Sequence, residues 1–136
     1  MTPRPFWLAL TCLACSVCAG SDADLPAPYR TLAVPTARLQ STDARARGRA
    51  LFLTHCALCH GVSADGRGER REGFVRPPRD FTDAAWRRST SPRRVYFAIR
   101  EGLHGTPMPA WKALDDGDVW DLVADVLSVG PAVDRS

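Results

Sequence analysis

The stretch Cys56-Ala57-Leu58-Cys59-His60 determines the kind of fold that this sequence can adopt. It is a C-x-x-C-H motif, the pattern at which c-type haem is attached to a protein. Residues three and four positions apart lie on one face of a helix, so Cys56, Cys59 and His60 point the same way. Two thiols on that face can bond the two vinyl groups along one haem edge, and the imidazole can reach the iron. The motif therefore predicts one covalently bound haem c, with His60 as an axial ligand.

A C-x-x-C pair by itself also occurs in zinc sites and in thioredoxin-like redox pairs. Zinc needs further ligands, and the other histidines, His55 and His104, lie at unsuitable spacing from the cysteines. A thioredoxin-like pair belongs to a βαβ pattern, which this sequence lacks. Haem attachment is therefore the favoured interpretation.

The composition limits the classes of function. The chain has 136 residues, with 18 basic and 15 acidic side chains. This length suits one domain plus additional segments. The nearly even charge balance is not the footprint of a nucleic-acid-binding protein, so no nucleic-acid partner is expected.

The first twenty residues are predicted to be a signal peptide. Arg4 supplies positive charge, Phe6 to Ala19 is apolar, and small residues follow it. The run is short for a membrane-spanning helix, which needs about 20 apolar residues. Leu13-Ala14-Cys15 resembles the end of a lipobox, so a lipoprotein signal is an alternative, as is an uncleaved interfacial anchor. We expect a periplasmic or other extracytoplasmic protein, either free or tethered to the membrane through its N-terminus.

The prolines and the helix signals divide the rest of the chain. Residues 21–41 contain Pro26, Pro28 and Pro35 among small and polar residues, which predicts a flexible, unpacked arm. A helical domain that contains the motif is expected over residues 42–130, and a tail over residues 131–136.

Three helices are predicted within that domain. Ser41-Thr42-Asp43 suits a capped helix start, and the first helix runs from Ala44 to about Thr54. Ser91-Pro92 begins a second helix, which Gly102 ends. The acidic run at residues 115–118 opens the last helix. No strand pattern of convincing length is present, so the fold class is all-α.

The loop Gly105-Thr106-Pro107-Met108-Pro109 presents the only methionine after residue 1. A lone methionine usually fills a core. Two flanking prolines restrict the backbone here, so this thioether is held at a defined point. Given the haem motif, we predict that Met108 is the second axial ligand of the iron. His104 is the alternative ligand, and His55 is assigned no role.

Arginines crowd the loop that follows the motif. The loop can form a docking patch, pair with haem propionates, or be a solvated loop balanced by its acidic residues. Pro77-Pro78 stiffens the loop, and a carbonyl in this region can orient His60 by accepting the proton of its far nitrogen. The arginines in question are Arg67, Arg70, Arg71, Arg76 and Arg79.

The segments C-A-L-C-H-G, P-P-R-D-F-T, G-T-P-M-P-A-W and D-G-D-V-W-D-L-V-A-D-V-L resemble bacterial monohaem members of the class I cytochrome c family. The resemblance covers about Asp43 to Val129. It implies three to four helices packed around one covalently bound haem. It also implies that the first and last helices cross, with Gly48 and Phe52 near Trp120 and Val123.

The same resemblance implies His60 and Met108 as axial ligands and a non-catalytic role in one-electron transfer. The expected partners are redox proteins, an electron donor and an electron acceptor. One alternative is a dedicated haem subunit of a dehydrogenase or oxidase complex. Another is a sensor or peroxidase in which a labile Met108 opens the iron to a small molecule.

Overall fold

The computed structural model describes residues 22–130, and this part of the chain is helical without any strand, as the all-α prediction requires. The predicted signal peptide and the tail over residues 131–136 lie outside the described residues. In the described part, no helix combines the length and apolar character needed to cross a membrane. The elements are a 3-10 turn at Asp22–Asp24, α1 (Ala27–Arg30), α2 (Thr36–Gln40), α3 (Thr42–His55), α4 (Ala57–His60), a 3-10 turn at Glu69–Arg71, α5 (Ala84–Ser89), α6 (Pro92–Glu101) and α7 (Asp116–Ser128).

The crossing of α3 and α7 forms the centre of the fold. Ser41 caps α3 as predicted, because its Oγ accepts a hydrogen bond from the Ala44 N–H at 3.3 Å. Gly48 lies at the crossing, where a Cβ atom would stand 1.9 Å from the carbonyl oxygen of Asp121. One turn later, Phe52 is 1 % exposed. The missing side chain of Gly48 lets the two backbones approach closely, which agrees with the crossing that the family resemblance implies.

Helix α7 is buried along most of its length and carries a buried carboxylate, that of Asp121. Asp121 accepts hydrogen bonds from the Nε atoms of Arg38 in α2, at 2.6 Å, and Arg47 in α3, at 2.7 Å. Burial alone would raise the pKa of Asp121, but the two guanidinium partners outweigh burial and hold it below its usual range. Asp121 therefore stays ionised and ties three helices together.

A second buried carboxylate, that of Asp125, lies one turn further along α7. Its closest cation is Arg49 of α3, with Nη1 4.0 Å from Oδ2, and Oδ2 has no hydrogen-bond partner. Burial raises the pKa of Asp125, and the attraction of Arg49 opposes burial only in part. The two buried aspartates of α7 therefore differ: the pKa of Asp121 is lowered and that of Asp125 is raised.

Residues 22–40, here named the N-terminal strap, are packed on the helical core. The expectation of a flexible, unpacked arm over residues 21–41 is therefore wrong for this range. Pro26 and Pro35 precede the short helices α1 and α2 instead of keeping the chain extended. Apolar side chains of the strap are turned inward, namely Leu25, Tyr29, Leu32, Val34 and Leu39.

The strap also explains a pair of arginines at the start of α6, where the helix dipole disfavours positive charge. Arg93 bonds to Asp22 at 3.2 Å and, through Nε, to the Leu32 carbonyl at 2.8 Å. Arg94 pairs with Asp24. The partner of these arginines is therefore the strap of the same chain.

Helix α6 begins and ends where its sequence signals predict. The Ser91 Oγ accepts a hydrogen bond from the Arg94 N–H at 3.2 Å. Gly102 closes the helix at φ 71°, a conformation that favours glycine. Helix α5, which the sequence analysis did not anticipate, is a six-residue helix capped by Asp83.

Candidate cofactor site

A single cavity of about 520 Å³ brings together all four residues that the sequence analysis selected. Cys56, Cys59, His60 and Met108 line it, although Met108 lies some fifty residues beyond the motif. Its volume is in the range usual for cofactor sites, and its walls are mostly apolar. The wall comes from α3, α6 and α7, with side chains such as Phe52, Val95, Ile99, Leu122 and Val126.

The motif forms a helical turn distinct from α3. Helix α3 ends at His55, and Cys56 is the junction between α3 and α4, with its N–H bonded to the Phe52 carbonyl at 2.8 Å. The N–H groups of Cys59 and His60 both bond to the Cys56 carbonyl, at 3.1 and 2.9 Å. These bonds hold the motif in helical form, so the predicted common face of its three reactive side chains is formed.

The two thiols are not joined in a disulfide. Burial, more than the nearby Asp125 and Cys59, raises the pKa of the Cys56 thiol to about 12. A thiol of this kind is protonated at neutral pH, unlike the thiolate of a zinc ligand or of a reactive redox pair. Among the described residues, moreover, no three or more His, Cys, Asp or Glu side chains are grouped so that they could hold a metal ion.

His60 is oriented by the loop that passes beneath the motif. Its Nδ1 lies 3.0 Å from the carbonyl oxygen of Arg79, the residue after Pro77-Pro78, and it also stacks on Phe81 at 4.7 Å between ring centroids. A carbonyl only accepts, so Nδ1 carries the proton and Nε2 keeps a free lone pair. The sequence analysis had left open which carbonyl does this. Burial lowers the pKa of His60, although the Arg79 bond opposes that change, so the neutral form is favoured.

Two glycines bring this loop close to the motif. A Cβ atom on Gly68 would meet the Leu58 carbonyl oxygen at 2.3 Å, and one on Gly66 would meet the Pro78 carbonyl oxygen at 2.6 Å. The Gly68 N–H also bonds to the Cys59 carbonyl at 3.1 Å. The loop can therefore deliver the Arg79 carbonyl to His60 because these two positions lack side chains.

The Met108 loop is attached to the end of α6. The Leu103 N–H bonds to the Met108 carbonyl at 3.3 Å, and the Trp111 N–H bonds to the Ile99 carbonyl at 3.0 Å. Arg100 adds a bond to the Leu114 carbonyl at 2.6 Å. These bonds fix the segment on both sides of the thioether, as the flanking prolines predicted.

The two remaining histidines differ in position. His104, the alternative axial ligand, is exposed and does not line the cavity. His55, which was assigned no role, does line the cavity and packs on Trp111 at 5.0 Å between ring centroids. The sequence analysis, which ended the first helix at about Thr54, had not placed His55 at the site.

Other lining residues come from the arginine loop, which the sequence analysis named, and from the strap, which it did not place at the site. Arg76 and Arg79 are exposed residues at the rim, and the rest of the arginine loop faces solvent. Asp24 and Leu25 reach the cavity from the strap. A signal for the strap did exist in its recurring apolar residues, but the prolines between them hide any helical period.

The donor set of this cavity fits a covalently attached haem. Two thiols stand three positions apart on one turn, and an imidazole with a free Nε2 follows them. A thioether, the soft donor found in many haem proteins, completes the set from the other loop. The apolar wall suits a flat, largely apolar ring.

Comparisons with known proteins agree with this fit. The family model described as "Cytochrome C oxidase, cbb3-type, subunit III" matches residues 43–124. The FixP subunit of the cbb3-type cytochrome c oxidase of Rhizobium meliloti (strain 1021) is 34 % identical over 85 residues, which are 62 % of this chain. The chain spans only 27 % of the length of that relative.

Two solved structures are also similar. The KustC0563 c-type cytochrome is 34 % identical with a TM-score of 0.51, covering 61 % of this chain and 96 % of that one. A chain of the Kuenenia stuttgartiensis reducing HAO-like protein complex Kustc0457/Kustc0458 is 29 % identical with a TM-score of 0.58. That similarity covers 66 % of this chain and 45 % of the other.

Proposed function

This chain belongs to the cbb3-type cytochrome c oxidase subunit III family of c-type cytochromes, and from that premise we propose that it is an exported carrier of single electrons with His60 and Met108 as axial ligands. Membership confirms two predictions made from the sequence, the class I cytochrome c-like fold and the covalently bound haem c. It also makes the chain an electron-transfer haem protein. The ligand pair, the single-electron step and the location are our proposals.

The proposed roles of the residues follow from their positions in the cavity. Cys56 and Cys59 attach the haem through thioether bonds, so the cofactor is not lost. His60 offers Nε2 to the iron because the Arg79 carbonyl holds the proton on Nδ1. When bound, haem c supplies an iron atom that changes its oxidation state by one electron. The apolar wall excludes water, which favours the less charged state of the site.

The observation that carries the proposal is that an imidazole and a thioether line one apolar cavity, each on a separately anchored segment of the chain. A thioether ligand favours the ferrous state and raises the reduction potential compared with a second imidazole. With both axial positions filled by fixed side chains, no position is open to substrate. Electron transfer then needs little rearrangement, and bond-making chemistry is suppressed.

Substitution of the thioether tests the ligand pair. Met108→Ala should convert the low-spin haem of the exported protein to a high-spin form and lower its reduction potential. His104→Ala is the matched control, because it removes a side chain of the same loop region that does not line the cavity. An unchanged optical spectrum in Met108→Ala would show that another group binds the iron.

Carbon monoxide separates an electron carrier from a sensor or peroxidase. We expect the reduced parent protein to resist carbon monoxide at neutral pH, since Met108 lies in a segment tied to α6. Rapid binding by the parent protein would instead support a labile Met108. The Met108→Ala variant serves as the positive control for an open iron.

A second candidate function is a dedicated haem subunit of an oxidase complex. The FixP relatives are named as such subunits, and this chain corresponds to about 27 % of their length. The exposed arginines of the loop after the motif would then provide the docking surface. Purification at low and high salt tests this candidate, because screening weakens contacts between exposed charges. A partner retained at low salt and lost at high salt would support it.

We further propose that the protein acts on the extracytoplasmic side of the membrane, as its N-terminal signal suggests. Mass spectrometry of the exported protein should show one added haem and the loss of the leader. An added lipid mass would indicate a tethered form. A mass that retains residues 1–20 would contradict cleavage.

A further inference from the structure

The N-terminal strap supplies part of the cavity wall. Leu25 is 6 % exposed, and it lines the same cavity as Cys56, His60 and Met108. Its neighbour Asp24 stands on the wall as well. A segment well before the haem motif in the sequence therefore limits the space in which the cofactor is held.

Polar contacts just before Leu25 in the sequence help to fix its position. On one side, Asp22 accepts a hydrogen bond from the Ser91 hydroxyl and pairs with Arg93 at 3.2 Å. Asp24, directly before Leu25, pairs with Arg94. All these partners belong to the start of α6, which itself forms part of the wall, so the strap cannot move away without losing several charged contacts.

Aromatic packing continues the attachment on the other side of Leu25. Tyr29 meets Phe97 edge to face, with 4.9 Å between ring centroids, and lies 6.3 Å from Tyr96. Its hydroxyl donates a hydrogen bond to Glu101 at the far end of α6. The strap is thus held along the length of α6.

The strap lies outside the part of the chain that defines its family. The family model matches residues 43–124, whereas the strap covers residues 22–40. The wall at Leu25 is therefore an addition to the matched domain and not part of it.

We propose that Leu25 is a positioning residue for the electron-transfer function, which keeps water from the cofactor and so raises its reduction potential. The physical reason is that the oxidised site carries one more positive charge than the reduced site, and water stabilises the more charged state. Burial and solvent access are among the main ways in which a protein sets a haem potential. The proposal rests on the proposed carrier function, because the reduction potential is the property that an electron carrier must have adjusted.

Potentiometric titration of the purified haem-loaded protein tests the proposal. Leu25→Ala should lower the equilibrium constant for reduction about tenfold, which corresponds to about 59 mV for one electron. Leu25→Val should produce a smaller decrease, and it provides the measurement if the alanine variant does not fold. Leu25→Met, which conserves volume and apolar character, should keep the parent potential.

Leu39→Ala is the matched control. Leu39 lies on the same strap and packs on the same core, but it does not line the cavity. Its truncation should lower stability and leave the potential unchanged. A purely structural role for the strap predicts that Leu25→Ala and Leu39→Ala behave alike.

Loosening the charged contacts provides an independent test. Asp22 pairs with Arg93 but does not line the cavity, so Asp22→Asn frees the strap without changing the charge of the wall. Asp22→Asn should lower the reduction potential, as Leu25→Val should, and it should increase amide hydrogen exchange in α1. Parent-like potentials in Leu25→Ala, Leu25→Val and Asp22→Asn, or an equal shift in Leu39→Ala, would overturn the proposal.

The two proposals can fail separately. An error in the axial ligands would appear in the optical spectrum of the parent protein and of Met108→Ala. An error about Leu25 would appear in the reduction potentials of the strap variants, whose spectra should match the parent. The potential can be measured whichever residue is the second axial ligand.

Discussion

The replacement Gly48→Ala probes the crossing of α3 and α7 most directly. A Cβ atom at this position would lie 1.9 Å from the carbonyl oxygen of Asp121 and 2.5 Å from its carbonyl carbon. Ordinary contact begins at 3.4 Å, so the new methyl group is about 1.5 Å too close to the backbone of α7. A side chain could rotate away from such a clash, but a backbone carbonyl cannot. The two helices would have to separate.

The size of the effect follows from two opposing terms. Alanine is a better helix former than glycine by about 1 kcal/mol, which favours the substitution. Overpacking usually costs about 1–3 kcal/mol, and a clash with backbone belongs at the upper end of that range. The variant should therefore lose about 2 kcal/mol of unfolding free energy despite its gain in helix propensity.

Denaturation by guanidinium chloride, followed by circular dichroism on the haem-loaded protein, measures this loss. Ala46→Gly provides the control, since Ala46 is exposed on the same helix and reports the propensity term alone. That control should lose about 1 kcal/mol. If Gly48→Ala were as stable as the parent protein or more so, the close helix contact would not exist as described, and the reasoning would be refuted.

Three further predictions concern charge, hydroxyl groups and capping. Asp121→Asn should destabilise the protein above pH about 4, and the difference should disappear as the pH falls through the lowered pKa of Asp121. Asp125→Asn should show the opposite slope, because its unfolding free energy relative to the parent should increase as the pH rises through the raised pKa of Asp125. Urea unfolding at several pH values measures this difference for both aspartate variants. Parallel slopes would contradict the assignment. Burial and the bond to a carboxylate raise the pKa of Tyr29 to about 12 and that of Tyr96 in the same direction, so ultraviolet titration of the folded protein should show little tyrosinate at pH about 10. Full ionisation of both tyrosines there would mean that they are not held as described. Ser41→Ala should cost about 1 kcal/mol in thermal or chemical unfolding through the lost cap of α3, and no loss would show that the cap does not stabilise the helix.

The features predicted well from the sequence are those set by nearby residues. The motif at residues 56–60 places its reactive side chains through local helical geometry, which is the same in any fold. The ends of α3 and α6 depend on caps within a few residues, at Ser41, Ser91 and Gly102. The position of Met108 at the cavity could be predicted because its two flanking prolines and its uniqueness are visible without any knowledge of tertiary structure.

The features that were missed depend on distant contacts. Leu25 is buried in a strap that is tied to α6, about seventy residues away, and no pattern around it predicts that burial. The burial of Asp121 also depends on distant residues, because two arginines from other helices pair with its carboxylate. The carbonyl that orients His60 depends on the path of a nineteen-residue loop, which the prolines limit without fixing.

The ion-paired carboxylate in α7 also bears on where the independently stable unit begins. Trimming the chain to the start of the family match at residue 43 would delete Arg38 and leave Asp121 with a single cationic partner. It would also strip Arg93 and Arg94 of their acidic partners. The shortest fragment suitable for crystallisation or for fusion to another domain therefore starts at or before Asp22, some twenty residues upstream of the boundary that sequence matching suggests.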